Sequence, residues 1–285
     1  MSSAAPAADP TIRRSRVGEL AAMIALFRLT IRQCTHGRRL LVLGLLYALP
    51  CALAILLRCL PKSPPPSHLE FALIFNLLPH GLAPLTALLY AAGAIQDEVE
   101  EQTLTYLLMR SIPRWAIFVV KILATFCVTT VLVSLCTIAT YSSIYAGTPG
   151  FSTDILAGRL PLVLAITALA QFAYCAIFGL IGLMARRSLV VGLIYIVVIE
   201  GVFASMDFIL RYATVVNYVR TLFMRWLTLP APIISDMNEW NLKLETAPTA
   251  AQCVQRLVLT GVVGIILGAW WFARSEFRVK TPEGS

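Results

Sequence analysis

The chain has 285 residues, of which 58% are hydrophobic and only 13% charged, and its formal net charge is +8. A soluble chain carries about 45–50% apolar and about 25% charged residues, so this composition excludes an ordinary water-soluble domain. The length allows several bilayer crossings with short loops, and the basic excess suits positive loops held at an anionic inner leaflet. No basic patch is interleaved with exposed aromatics, so nucleic acid is not expected as a partner.

Residues 1–16 are polar and contain Arg13, Arg14 and Arg16 without a short apolar core. They are expected to form a flexible cytoplasmic N-terminus rather than a cleaved signal peptide. A mitochondrial presequence fits poorly with Asp9 and the prolines. Residues 17–35 have a helical period that puts Leu20, Met23, Ile24, Phe27, Ile31 and Cys34 on one face, with Arg28, Arg32 and Gln33 off it. That pattern predicts a helix lying flat at the cytoplasmic interface, its basic side towards lipid headgroups.

A spanning helix needs about 20 mostly apolar residues. Six runs qualify: 40–57, 71–95, 115–145, 160–185, 188–206 and 257–273. Lys121 lies near the start of the third and Glu200 inside the fifth, which leaves Glu200 as the one acid assigned to a span. The sixth ends at Trp270 and Trp271, suited to an interfacial belt. Between the first two runs, Lys62 to Ser67 reads as a stiff solvated turn. The stretch 208–235 is interrupted by Arg211, Arg220 and Arg225 and is expected to be interfacial or re-entrant rather than a seventh crossing. The expected fold is therefore an all-α, polytopic, six-helix membrane domain over residues 17–274. Residues 275–285 are expected to form a cytoplasmic tail.

With the N-terminus inside, 15 of the 23 Lys and Arg residues face the cytoplasm, and five of the other eight lie in residues 207–256. Both termini are thus expected to be cytoplasmic and residues 207–256 external. The seven cysteines form no C-x-x-C and meet no histidine cluster, so they read as small hydrophobes, and no metal site is expected.

The informative cytoplasmic segment is 96–114, QDEVEEQTLTYLLMRSIPR. Asp97, Glu98, Glu100 and Glu101 suit a helix N-terminus and Arg110 its last turn. Leu104, Leu107 and Leu108 share a face, and Pro113 ends the helix before Arg114. Those leucines and Tyr106 have no burial partner unless a membrane surface or a second protein supplies one.

At this segment the chain resembles the permease subunits of ABC transporters of the ABC-2 type, the exporter-like class with six spans per subunit. The pattern is carried by Glu98, Glu101, Thr103-Leu104, Leu107-Leu108, Pro113-Arg114 and Lys121, with Gln102 in place of a usual glycine. A second stretch, 192–219, is similar to the fifth span of a bacterial subfamily through Tyr195, Glu200-Gly201, Arg211 and Tyr218. The tail at 277–284 adds to the likeness, which runs from about Val17 to the end.

The resemblance implies a non-catalytic subunit of the bacterial plasma (inner) membrane. Its coupling helix inserts into a separate ATPase subunit that holds ATP and Mg, and this chain binds no cofactor itself. A second copy, or a similar permease, completes a dimer. The chain agrees in lacking a G-x-x-x-x-G-K-[ST] motif. Two other readings stay open: an ion-coupled secondary transporter using Glu200, and an intramembrane enzyme, for which Glu200 and His80 are the sole candidates within spans. From the cost of a charge inside a bilayer, Glu200 is expected to face the bundle and pair with a donor, Arg211 being the candidate, while Gly201 lets another backbone approach.

Overall fold

The computed structural model describes residues 10–35, 38–59, 64–100, 113–146, 153–185, 187–204, 209–227 and 247–274. Among these residues every regular element is helical. Helix α1 spans Pro10–Thr35 and α2 spans Arg38–Arg58. Helix α3 opens at Pro66–Leu69 and runs on without a break to Gly93–Glu100. Helix α4 is Arg114–Tyr145 and α5 is Thr153–Met184. Helix α6 begins at Ser188–Ile194 and continues through Tyr195–Phe203. A 3₁₀ turn, Ile209–Ala213, leads into α7, Val215–Trp226, and α8 is Ala250–Arg274. Five of these (α2, α3, α4, α5 and α8) are long and apolar enough to cross a membrane, and α6 is a shorter apolar helix.

Two boundaries and one buried face depart from the sequence expectation. Helix α3 starts at Pro66, with proline at its first turn where a missing N–H costs nothing. Glu70 therefore belongs to a helix long and apolar enough to cross a membrane, so Glu200 is not the one acid in such an apolar helix. Helix α8 starts at Ala250, several residues before 257, which takes Arg256 into its second turn. Helix α1 buries Leu26, Thr30 and Cys34 and packs on α4, while Leu20 and Ile24 of the expected apolar stripe stay exposed. Its buried line is the i, i+4, i+8 row that meets α4, not the stripe with the most apolar residues.

Helix α3 is irregular. Glu70–Leu82 and Leu88–Ala92 are wound as π-helix, with Pro79 inside the first stretch and Pro84 in the α-helical turn between them. Proline cannot donate to the carbonyl four residues back and its ring clashes there, so wider winding at these positions relieves a conflict an α-helix would carry.

Close packing is set by small residues. Gly261, Gly264 and Gly268 form one face of α8, and a methyl on Gly264 would stand 3.0 Å from the Ala176 side chain of α5. A methyl on Gly182 of α5 would stand 2.7 Å from the Ala92 main chain of α3. Small residues that let backbones touch are how helices associate where lipid removes the hydrophobic drive. Aromatic pairs fill the wider gaps: Phe75 with Phe223 at 4.9 Å joins α3 to α7, and Phe126 with Phe172 at 5.5 Å joins α4 to α5. Buried hydroxyls on α4 are satisfied within the helix, as Thr129, Thr137 and Thr140 each donate to the carbonyl four residues back at 2.8–2.9 Å. The cysteines are all free thiols, and Cys59 alone is exposed.

Helix α7, at 12 residues, is about 18 Å long, too short to cross a bilayer. It is nonetheless buried without interruption from Val215 to Phe223, against α3, α5 and α8. It is not a seventh crossing, because the helix is too short to span a bilayer. Residues 228–246 lie outside the described residues.

Candidate functional site: two polar ends of the helix bundle

The helices gather polar side chains at two opposite ends. One end holds the start of α3, the end of α4 and the start of α5. There the buried Glu70 carboxylate accepts from Tyr141 Oη at 2.8 Å and Tyr145 Oη at 2.5 Å, and it pairs with Arg159 Nη1 at 3.4 Å. Tyr141 and Tyr145 are one turn apart on α4 with stacked rings. Arg58, at the end of α2, donates to the Ser143 carbonyl at 3.0 Å in the same layer. This cluster escapes the sequence reading, because Glu70 looks like the border of an apolar run. Two tyrosines at i, i+4 near the end of the third run are the signal that could have pointed to it.

The same half of the bundle holds Glu200. Its side chain is 1% exposed. Oε1 accepts from the Val215 amide at 3.1 Å and from Tyr195 Oη at 3.2 Å, and Oε2 accepts from the Val216 amide at 2.9 Å. The carboxylate thus caps the N-terminus of α7, where free N–H groups and the helix dipole favour negative charge. Thr214 adds the ordinary N-cap, accepting from the Asn217 amide. Glu200 faces the bundle as expected, but among the described contacts its donors are main-chain amides and Tyr195, not Arg211. The Arg211 Nε donates instead to Asn217 Oδ1 at 3.0 Å, because the 3₁₀ turn carries it past the carboxylate to the first turn of α7. Arg220, also buried, donates to the Ala204 carbonyl. Gly201 lies on the exposed face of α6, and among the described residues a methyl there would meet the Ile196 carbonyl at 3.6 Å.

At the opposite end α3 finishes and α4 begins. Lys121, buried, donates from Nζ to the Ala94 carbonyl at 2.6 Å. Ser188, opening α6, hydrogen-bonds Gln96 of α3. The Arg39 guanidinium lies over Gly93, in the space a side chain there would fill. Phe118 and Phe272, 6.2 Å apart, join α4 to α8. Of the expected coupling residues, Pro113 is extended and N-caps α4, and Arg114 is its first, exposed residue. Glu98 lies on the last helical turns of α3. Glu101, Thr103, Leu104, Leu107 and Leu108 lie outside the described residues.

His80 Nδ1–H donates to the Asn76 carbonyl of its own helix at 2.8 Å. Among the described residues no three His, Cys, Asp or Glu side chains gather where they could hold a metal ion.

An all-helical bundle with five helices long and apolar enough to cross a membrane is the architecture of an integral, multi-pass membrane protein. The family comparison agrees: the model for the ABC-2 family transporter proteins matches residues 36–203, from the start of α2 to the end of α6. That is more than half of the chain, and the protein belongs to this family of ABC transporter permeases. No curated protein matches the sequence.

Proposed function

We propose that the chain is the membrane subunit of an ATP-driven exporter, with residues 98–114 docking on a separate ATPase subunit that holds ATP and Mg. A second copy, or a similar permease, completes the pathway. Both chain ends face the cytoplasm in this reading, and the membrane is a bacterial plasma membrane. Family membership over α2 to α6 is the observation that carries it.

The end of the bundle next to residues 101–112 supports a coupling role. Helices α3 and α4 bracket that segment and are bonded to each other by Lys121 and the Ala94 carbonyl. Helix α6 is bonded to α3 through Ser188 and Gln96. A displacement of the segment by a closing ATPase is therefore shared among three helices at once. In the docking itself, the leucine face fills an apolar groove and the charges sit at the rim, where single ion pairs contribute about 0–1 kcal/mol.

Copurification of the ATPase from native membranes tests this. Leu107→Asp is expected to abolish recovery of the ATPase with the permease, and Glu98→Ala to reduce it slightly. Full recovery with Leu107→Asp, together with unchanged substrate-stimulated ATP hydrolysis, would overturn the docking role.

A further inference from the structure

Beside the α7–α8 junction lies a surface cavity of about 550 Å³, lined by Tyr212, Tyr218, Pro248, Gln252, Gln255, Arg256 and Leu259. One wall is a single face of α8. Gln252, Gln255, Arg256 and Leu259 follow the i, i+3, i+4, i+7 spacing that brings side chains onto one side of a helix. The other wall comes from the 3₁₀ turn and α7, where Tyr218 Oη donates to the Tyr212 carbonyl at 2.6 Å and fixes the two rings' segments together.

The wall chemistry is graded. Towards the start of α8 it offers hydrogen-bond donors and a cation. Gln252 Oε1 is taken by the Thr249 amide at 2.9 Å, which leaves its NH₂ to donate outward. Arg256 is exposed, and among the described residues it has no carboxylate partner. Further along α8 the cavity ends at Leu259, and from there an exposed apolar stripe continues through Val262, Val263 and Ile266. A cation one turn above a lipid-facing stripe is where the phosphate layer of a leaflet meets a spanning helix.

We infer that this cavity holds the headgroup of a membrane phospholipid, its phosphodiester on Arg256 and the glutamine amides and its acyl chain along Leu259 and Ile266. One guanidinium matches one phosphodiester charge, and its fork suits two phosphate oxygens. Tyr212, half exposed at the mouth, covers the glycerol region as interfacial aromatics do. The site needs no ATPase partner, so it stands or falls separately from the coupling reading.

The test uses the full chain purified in neutral detergent and offered three probes: phosphatidylglycerol, diacylglycerol with the same acyl chains, and sn-glycerol 3-phosphate. Native mass spectrometry reads what each protein retains. Wild type is expected to retain phosphatidylglycerol and neither of the other two. Arg256→Gln should lower that retention at least tenfold, Arg256→Lys, which keeps the charge but not the fork, should restore part of it, and Arg225→Gln, whose guanidinium is on the Ala247 carbonyl, should leave it unchanged. Equal retention by Arg256→Gln overturns the assignment. So does diacylglycerol held as well as phosphatidylglycerol, since the phosphate is then not read. Glycerol 3-phosphate held as well as the lipid also overturns it, in favour of a soluble phosphate ligand. Should Arg256→Gln not fold, Leu259→Asn and the three-probe comparison on wild type decide, the former by an expected loss of severalfold in lipid retention.

Discussion

Two buried carboxylates lie in the same half of this bundle, and they are satisfied by different means. Glu70 is met by side chains, the hydroxyls of Tyr141 and Tyr145 and the guanidinium of Arg159. Glu200 is met chiefly by main chain, the amides that open α7. A hydroxyl can donate or accept, so the two tyrosine partners of Glu70 can change roles. An N–H group can only donate, so the two amide partners of Glu200 cannot. The first arrangement fastens three helices that are each long enough to stand alone. The second holds down a 12-residue helix that has no independent hold on the membrane. The difference locates rigidity: the N-terminal amides of α7 are held by one carboxylate of α6, and the α3–α4–α5 corner is fastened by several side chains.

The sharpest break of this comparison is Glu200→Gln. The new amide accepts through one oxygen only, and its NH₂ faces an N–H that cannot reverse. A buried donor left without an acceptor costs about 1–3 kcal/mol, and the charge-assisted bonds are lost as well. We expect a loss of about 3 kcal/mol, read as thermal unfolding in micelles through exposure of the buried thiols of Cys175 and Cys253. A melting temperature equal to wild type would show that α7 does not depend on this carboxylate.

Glu70→Gln should do less, about 1 kcal/mol in the same assay, because Tyr141 can accept from the new NH₂ while Tyr145 and Arg159 still donate to the amide oxygen. If Glu70→Gln costs as much as Glu200→Gln, role reversal is not what separates the two sites. Arg159→Gln should be smallest, about 0.5 kcal/mol or less, since its side chain is 16% exposed and the ion pair is long at 3.4 Å. A larger loss would make the ion pair, not the hydroxyls, the main fastening of Glu70.

The crossings were legible in the sequence because apolar runs near 20 residues report on lipid directly, and Glu200 was legible because an acid in such a run must be met by something. Its partners were not, since main-chain amides carry no residue identity, although Thr214 followed by a helical period marks an N-terminus ready to receive a carboxylate. Arg211 was the natural candidate on charge alone, and the 3₁₀ turn that redirects it to Asn217 has no strong signature. Glu70 was hidden for another reason. Hydropathy treats a charge at the edge of a run as the edge itself, and its partners stand 71 to 89 residues away, beyond any local pattern. The glycine face of α8 was visible as G-x-x-G-x-x-x-G, but its meaning lay in the neighbour, Ala176 of α5.

That spacing along the chain bears on how the protein is made. Glu200 finds its amides 15 and 16 residues later, so its carboxylate is covered almost as soon as α6 leaves the ribosome. Glu70 finds Tyr141 after 71 residues and Arg159 after 89, so α3 enters the translocon long before the groups that cover its acid exist. At a synthesis rate of about 5–20 residues per second, that is a wait on the order of several seconds. During it, the start of α3 must keep Glu70 in headgroup water, and the helix settles to its final depth only when α4 and α5 arrive. Insertion is therefore expected to take α3 two visits: a first shallow lodging, then a later descent completed by helices not yet translated when it began.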